Sequence, residues 1–276
     1  MSEQQPLSPQ EIAQALGGMA EKKVSATVQE QFFLAVLAGI YIGFGAVVAT
    51  AVTSGKGLDV GLQRFLGGSV FSVGLMLVLI PGSELFTGNI LMTVGFLGDR
   101  VRLSRIVRNW MVVWIGNFVG ALLLAWLINQ SQQFIQDGTV RYVGEKAIAI
   151  MERKLQLATT FWPCFIRGVL CNMLVCLAVI MATSARTVAG KVLAIYFPIM
   201  AFVACGFEHS IANMYFLPAG LIAAGQFGAR FIEMLHNLFA VTLGNIVGGL
   251  ALILLHPKSQ QMVGRILRNS RAVRKE

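Results

Sequence analysis

The sequence contains six long apolar stretches separated by short polar connections. A helix needs about 20 predominantly apolar residues to cross the hydrocarbon core of a bilayer, and each stretch meets that length. We therefore predict an all-α membrane protein with six transmembrane helices. The stretches cover residues 31–53, 62–97, 106–128, 159–183, 188–217 and 235–255.

The second and fifth stretches are too long for one straight span, and each contains turn-forming and ionisable residues. Residues 81–84 interrupt the second stretch, and residues 205–209 interrupt the fifth. Backbone groups released by a break cannot face lipid, so a span breaks only where protein or a water-filled path satisfies them. Both breaks are thus expected to line a path through the protein.

The two halves of the chain repeat the same residues in the same order. Three spans per half is an odd number, so the halves must be inverted across the membrane, with helices 2 and 5 broken near the midplane. The matched sets are Gly82, Glu84 and Asn89 with Gly206, Glu208 and Asn213; Gly116, Asn117 and Gly120 with Gly244, Asn245 and Gly248; and Ala38-Gly39 with Arg167-Gly168.

The composition excludes an ordinary soluble domain. Hydrophobic residues make up 56% of the 276 positions and charged residues only 13%, whereas soluble domains carry about a quarter charged residues. The net charge of +9 is concentrated in short connections and in the tail Lys258–Glu276. That placement is typical of membrane proteins and argues against a nucleic-acid partner.

Lysine and arginine are about twice as frequent on the side of the two termini as on the other side, which predicts cytoplasmic termini. We expect a multi-pass protein of the inner (cytoplasmic) membrane with three parts. These are an N-terminal segment 1–30, a channel domain 31–256 and a basic C-terminal tail 257–276. The first 30 residues are polar, so no cleavable signal peptide is expected.

The N-terminal segment predicts a short amphipathic helix. Ser8 and Glu11 form a capping-box pattern, with Pro9 at the first helical position. Apolar residues then recur at roughly helical spacing from Ile12 to Val24. Such a helix either lies at the membrane surface or is solvated on the cytoplasmic side.

The four cysteines all lie in apolar segments, and none shows C-x-x-C spacing; they are Cys164, Cys171, Cys176 and Cys205. We interpret them as small core residues, and we expect no disulfide, metal or cofactor.

His209 is the one histidine in the interior of a span, and an ionisable residue at that depth is a functional candidate. Half-helix N-termini at the breaks offer free N–H groups that suit an anion. A carboxylate would repel an anion, so we assign Glu84 and Glu208 a structural role, capping N–H groups of the following half-helix.

Four runs resemble the formate/nitrite transporter family, and the resemblance extends over all six spans. They are GSELFTGN at 82–89, GVLCNMLVC at 168–176, GFEHSIANM at 206–214 and TLGN at 242–245. The resemblance implies a homopentamer of aquaporin-like protomers in the lipid bilayer. Each protomer would have its own pore for a small monovalent anion such as formate or nitrite.

The resemblance also implies roles for individual residues. His209 would be the central pore histidine, with Thr87, Asn172 and Asn245 as polar partners. Leu85-Phe86-Thr87 would form a mobile loop. The outer constriction would consist of Phe71, Leu75 and Phe202, and the inner one of Leu75, Leu85 and Phe86. Hydrated ions fail at such apolar gates, whereas a protonated anion loses most of its barrier.

At one position the chain departs from the family pattern. Members usually carry a lysine 16 residues before the asparagine that Asn172 matches, and this chain has Gln156 there. Lys154 lies two residues earlier. It would serve as the outer anion attractor if the start of span four shifts, with a bend at Trp162-Pro163.

The sequence is compatible with several functions. The first is a pH-sensitive anion channel or a proton-coupled anion carrier, in which protons would be a second partner. A hydrosulfide channel of the same family and an aquaporin-like neutral-solute channel are alternatives. An intramembrane enzyme using Cys205 and His209 lacks a second base, so we predict a protein that is not an enzyme. The run at 84–89 and His236-Asn237 favour the nitrite branch.

Overall fold

The structure, a computed structural model, describes residues 5–55, 57–255 and Gln260, so most of the predicted basic tail lies outside the described residues. Within them the chain is almost entirely helical. A 3-10 turn at Ile90–Met92 connects α5 to α6. The helices are α1 Pro9–Ser25, α2 Val28–Thr53, α3 Val60–Phe71, α4 Val73–Leu79, α5 Phe86–Asn89, α6 Thr93–Leu97, α7 Leu103–Gln130, α8 Tyr142–Ala158, α9 Phe161–Ser184, α10 Val188–Ala204, α11 Ser210–Ala223 and α12 Phe231–Leu255.

Five helical segments are long and apolar enough to cross a membrane: α2, α3 with α4, α7, α9 and α12. The apolar helices α10 and α11 have 17 and 14 residues, so each alone is shorter than a span. Together they cover the predicted fifth stretch and extend beyond residue 217. These segments match the predicted stretches in order and approximate bounds.

Both predicted helix breaks are present. Helix α4 ends at Leu79 and α5 begins at Phe86, while α10 ends at Ala204 and α11 begins at Ser210. Each break turns at a glycine with positive φ, +92° at Gly82 and +71° at Gly206. Residues with a Cβ rarely adopt this conformation, which explains why glycine occupies both turns.

Small residues bring the paired spans of each half into backbone contact. A Cβ added at Gly120 would overlap the Val36 carbonyl, and one added at Gly248 would overlap the Val169 carbonyl. Helix α2 therefore packs on α7 as α9 packs on α12. Val36 of the first half therefore corresponds to Val169 of the second half. The prediction instead matched Ala38-Gly39 with Arg167-Gly168, and that match is wrong by one helical turn. Both predicted segments contain a glycine, Gly39 and Gly168. The register of the repeat is set by the helix face that makes the contact and not by residue identity.

Helix α1 has the predicted capping box. The Ser8 backbone N–H donates to Oε2 of Glu11 at 2.7 Å, and the Glu11 N–H donates to Oγ of Ser8 at 3.4 Å. The helix buries Leu16, Ala20 and Val24 against α6, α7 and α9. Its apolar face is therefore packed on the bundle itself.

Helix α8 was not predicted, and neither was the small hairpin before it. Strands Ile135–Gln136 and Thr139–Val140 pair antiparallel around Asp137 and Gly138, both with positive φ. Asp-Gly is a favoured two-residue hairpin turn, because both residues tolerate that conformation. Helix α8 then packs on α11 and α12, with Ala147 and Met151 in its buried face.

The predicted bend at Trp162-Pro163 is absent. Helix α8 ends at Ala158 and α9 begins at Phe161, so they are separate helices and not one bent helix. Pro163 lies in the first turn of α9. A proline is tolerated there because the first-turn N–H groups have no partner within the helix.

Candidate functional site

Asn117 of α7 holds the break of the second span together. Its Oδ1 accepts a hydrogen bond from the Phe86 N–H at 3.0 Å. Its Nδ2 donates to the carbonyl oxygens of Ala35 at 2.8 Å and Glu84 at 2.9 Å. One buried amide thus satisfies the N–H that begins α5 and a carbonyl that the break releases.

Asn245 of α12 does the same for the break of the fifth span. Its Oδ1 accepts from the Ser210 N–H at 2.8 Å, and its Nδ2 donates to the carbonyls of Gly168 at 2.8 Å and Glu208 at 3.0 Å. The side chain implied as a polar pore partner is therefore bonded to backbone. Its evident role is to shape the break.

The carboxylate of Glu84 does not cap the following half-helix, contrary to the prediction. It accepts from Nζ of Lys23 at 2.7 Å and from Nδ2 of Asn89 at 2.6 Å. Nδ2 of Asn89 also donates to Oδ1 of Asn109 at 2.9 Å. Because Oδ1 of Asn117 already accepts the hydrogen bond from the Phe86 N–H, the Glu84 carboxylate pairs with the Lys23 ammonium instead. We name Lys23, Glu84, Asn89 and Asn109 the α1 charge chain.

The second half contains an equivalent set, the α8 charge chain: Lys154, Glu208, Asn213 and Asn237. Oε2 of Glu208 accepts from Nζ of Lys154 at 2.8 Å and from Nδ2 of Asn213 at 2.7 Å. Nδ2 of Asn213 donates to Oδ1 of Asn237 at 2.8 Å. Glu208, like Glu84, therefore pairs with a lysine instead of capping a helix. Lysine and glutamate are both almost fully buried, with side-chain exposures of 8% and 5%.

Lys154 reaches this place from α8, without the bend that the sequence suggested. Its ammonium lies 5.5 Å from the centroid of the Phe216 ring, and it lines a cavity that leads to His209. The pair with Glu208 neutralises its charge. Three other cationic side chains line the same cavity and are described below.

His209 and Thr87 join the two breaks directly. Nδ1 of His209 accepts from the Ala212 N–H at 3.1 Å, which caps α11. In the neutral ring the proton is then on Nε2, and it points to Oγ1 of Thr87 at 2.8 Å. Thr87 thus accepts from His209 and keeps its hydroxyl proton for another acceptor.

Asn172 completes this polar cluster. Its Nδ2 donates to the carbonyl of Thr87 at 3.2 Å and to that of Asn245 at 2.7 Å. Its Oδ1 is buried and has no hydrogen-bond partner among the described residues, and the same is true of Oγ of Ser210. These two buried oxygens can therefore accept hydrogen bonds from a polar group that enters the cluster.

Aromatic side chains line the cavity together with His209. The Phe202 ring is 5.8 Å from the His209 ring and 5.8 Å from the Phe71 ring. Phe71 in turn stacks on Phe216 at 6.3 Å. Of the implied outer constriction, the structure therefore brings Phe202 against the histidine and Phe71 against Phe202.

Leu75, Leu85 and Phe86, the residues of the implied inner constriction, are all buried, with exposures of 1%, 2% and 3%. They belong to the same apolar cluster as Phe71 and Phe202. The Phe86 ring lies 6.4 Å from the ring of Trp110. None of the three lines the cavity, which has Phe71, Phe202 and His209 in its wall.

The cavity has a volume of 280 Å³ and lies between the end of α2, α3, α8, the end of α10 and the start of α11. Four cationic side chains and one carboxylate, Glu208, are in its wall. The cationic residues are Arg64, Lys146, Arg153 and Lys154. The first three were not predicted as site residues, although Lys146 and Arg153 lie two turns apart on one face of α8.

Lys146 is held within this wall. Its Nζ donates to Oε1 of Gln63 at 3.3 Å, which connects α8 to α3. Partial burial and the nearby Arg153 guanidinium lower the pKa of Lys146 below its ordinary value. It lies on α8, outside the candidate spans.

Three of the four cysteines are buried as predicted, but Cys205 is exposed at the end of α10. It does not line the cavity, whereas His209 is bonded to Thr87, so the two do not form a nucleophile and base pair. In the part of the chain that the structure describes, no group of three histidine, cysteine or acidic side chains could hold a metal ion.

The family model described as formate/nitrite transporter matches residues 10–257. The chain belongs to this family. It is 42% identical to a probable formate transporter of Methanothermobacter thermautotrophicus over 88% of the chain and 92% of that protein. It is 37% identical to the formate channel FocA of Haemophilus influenzae over 83% of the chain and 87% of that protein.

A solved structure described as a pentameric formate channel with formate bound matches with a TM-score of 0.70 and 38% identity, over 82% of this chain and 94% of that one. The predicted membership and all-α membrane fold are confirmed. As a family member, the chain is a multi-pass membrane protein with a role in anion transport.

Proposed function

We propose that the chain passes small monovalent anions, formate and/or nitrite, through a pore whose centre is His209. The observation that supports this most is the 2.8 Å contact between Nε2 of His209 and Oγ1 of Thr87, which joins both broken helices beneath a cation-lined cavity. Formate is favoured because similar proteins are named as formate transporters or channels.

Cations at the cavity mouth raise the local concentration of anions. An anion then loses water against Phe71 and Phe202 and meets donors at His209 and Thr87. The oxygens of Asn172 and Ser210 can accept from the anion's conjugate acid or from water. On the far side, the apolar Leu75, Leu85 and Phe86 would pass a neutral acid more readily than a charged ion.

The two hydrogen bonds of His209 set the condition for proton transfer. A neutral ring donates one hydrogen bond from Nε2 but cannot give that proton away, because an imidazolate would result. Transfer requires prior protonation at Nδ1, which would break the bond from the Ala212 N–H. Acidic pH therefore favours proton-coupled passage, and the chain acts as a pH-sensitive channel or a proton-coupled carrier.

We also propose a homopentamer with one pore in each protomer and with both termini in the cytoplasm. The likeness to a solved pentameric formate channel supports the assembly. The exposed arginines near the α6–α7 connection, such as Arg102 and Arg105, support the orientation, because positive charge is retained on the cytoplasmic side. The location would be the inner membrane.

A flux panel in proteoliposomes tests the substrate. Formate, nitrite, hydrosulfide and glycerol are each offered at an acidic and a neutral pH. We expect formate or nitrite uptake that rises at acidic pH. Preferential hydrosulfide uptake would select the alternative within the family. Glycerol or water passage without anion uptake would contradict the proposal and favour the neutral-solute channel.

A further inference from the structure

The cavity wall carries four cationic side chains and one carboxylate, so it has three more positive charges than negative charges. Lys154 is paired with Glu208 at 2.8 Å. Arg64 of α3 and both Lys146 and Arg153 of α8 form no salt bridge with any acidic side chain in the described ranges. The cavity thus holds more positive charge than one monovalent anion would balance.

These cations come from two elements that meet across the cavity. The Lys146 ammonium bonds to Gln63, the neighbour of Arg64 on α3, which shows how closely α8 approaches α3. Apolar residues such as Val60 and Ile150 also line the cavity. The wall therefore offers positive charge from two helices together with apolar surface.

A guest that matches this wall has two carboxylates separated by a short hydrocarbon spacer. Each carboxylate can accept a two-point contact from one arginine, and the spacer can lie on the apolar surface. Formate has one carboxylate and no spacer, and the 280 Å³ of the cavity exceeds what it fills. Sulfate has the charge but no apolar part.

We propose that this cavity binds a short dicarboxylate of the malonate or succinate type, which occupies the mouth and competes with the permeant monoanion. The competition between the dicarboxylate and the permeant monoanion rests on the proposed function. The binding of the dicarboxylate to the cavity does not rest on it. Such a guest does not pass, because Phe71 and Phe202 meet at its floor and two carboxylates would both have to lose water or gain protons there.

Equilibrium binding of radiolabelled succinate to the purified full chain in detergent, near neutral pH, tests the site directly. We expect saturable binding that Arg64→Gln and Arg153→Gln each weaken about tenfold, because each removes a charge-assisted contact. Arg141→Gln is the matched control: Arg141 is an exposed arginine just before α8 and is absent from the cavity wall. It should leave binding unchanged.

Two competitors separate the proposed chemistry from simple charge attraction. Propionate keeps an apolar part with one charge, and sulfate keeps two charges without the apolar part. We expect each to displace succinate at concentrations at least about tenfold higher than unlabelled succinate needs. The inference is overturned if succinate does not bind saturably, if sulfate competes equally well, or if Arg141→Gln weakens binding as much as Arg153→Gln does.

Formate uptake into proteoliposomes that contain the same protein variants separates the two proposals. Succinate should inhibit uptake, and Arg153→Gln should relieve the inhibition. Arginine-dependent binding in a protein that takes up no tested anion would overturn the proposed function and leave this site standing. Normal formate uptake without succinate binding would overturn this site alone.

Discussion

Oγ1 of Thr87 lies 2.8 Å from Nε2 of His209, although the two residues belong to different broken helices. Thr87 is in the first turn of α5, and His209 is the residue before α11. Each break is shaped by an asparagine from a neighbouring span, Asn117 or Asn245, so the contact depends on both halves of the repeat.

Replacing Thr87 with valine removes the hydroxyl and keeps the shape of the side chain. We expect anion flux to fall about three- to tenfold, because the Nε2 proton loses its acceptor and the path loses a donor. Stopped-flow uptake into proteoliposomes measures the change. Thr93→Val is the control, because within the described residues the Thr93 hydroxyl bonds only to the nearby Ile90 carbonyl, at 2.8 Å. Equal flux in both variants would contradict the role of Thr87.

The amide of Asn117 should be important for stability. Asn117→Ala leaves the Phe86 N–H and the carbonyls of Ala35 and Glu84 without their partner. Each unsatisfied buried group costs about 1–3 kcal/mol, so we expect a loss of roughly 3 kcal/mol or more. Thermal unfolding in detergent measures this. Asn129→Ala, near the end of the same helix, should change the melting temperature little. A similar fall in melting temperature in both variants would contradict the role of Asn117 in stabilising the break.

The buried pair of Lys154 and Glu208 should be sensitive to the loss of one partner. Lys154→Met leaves a buried carboxylate with only the Asn213 amide, and we expect destabilisation of about 3–5 kcal/mol. Adding Glu208→Gln to that variant removes the uncompensated charge and should restore part of the stability. Unfolding of the single and double variants is compared. If the double variant is no more stable than Lys154→Met, the pair is not coupled as described.

Anion access to the pore should weaken at alkaline pH through Lys146. Because its pKa is lowered, the ammonium loses its proton at a lower pH than a free lysine, and the cavity loses one positive charge as the pH rises. The initial rate of formate uptake from the cavity side should therefore decline toward alkaline pH. Lys146→Gln should flatten that decline, whereas Lys191→Gln, outside the cavity wall, should not. An unchanged profile in Lys146→Gln would show that this charge does not contribute.

The sequence was sufficient to predict the breaks because their causes are local. Within each apolar stretch, a glycine followed within three residues by an ionisable side chain marks the turn, at positions 82 and 206, and both glycines have positive φ. His209 could be selected for the same reason, as an ionisable residue inside a span. The alternation of apolar stretches and polar connections likewise predicted the order of the membrane segments.

Other parts of the site depend on partners that are distant in the chain. Asn117 and Asn245 looked like repeat markers, and only the fold shows that they bond to released backbone groups. The same contacts explain why Glu84 and Glu208 pair with lysines instead of capping helices. Helix α8 was not predicted because Lys146, Arg153 and Lys154 interrupt its apolar pattern. These three residues also line the cavity.

The most direct test of the central claim is the pH profile of formate uptake by the wild type and by His209→Ala in matched proteoliposomes. Wild-type uptake should rise toward acidic pH. In His209→Ala, uptake should be lost or should no longer depend on pH in the same way. A His209→Ala protein that takes up formate at the wild-type rate with the wild-type pH profile would contradict a central role for this histidine.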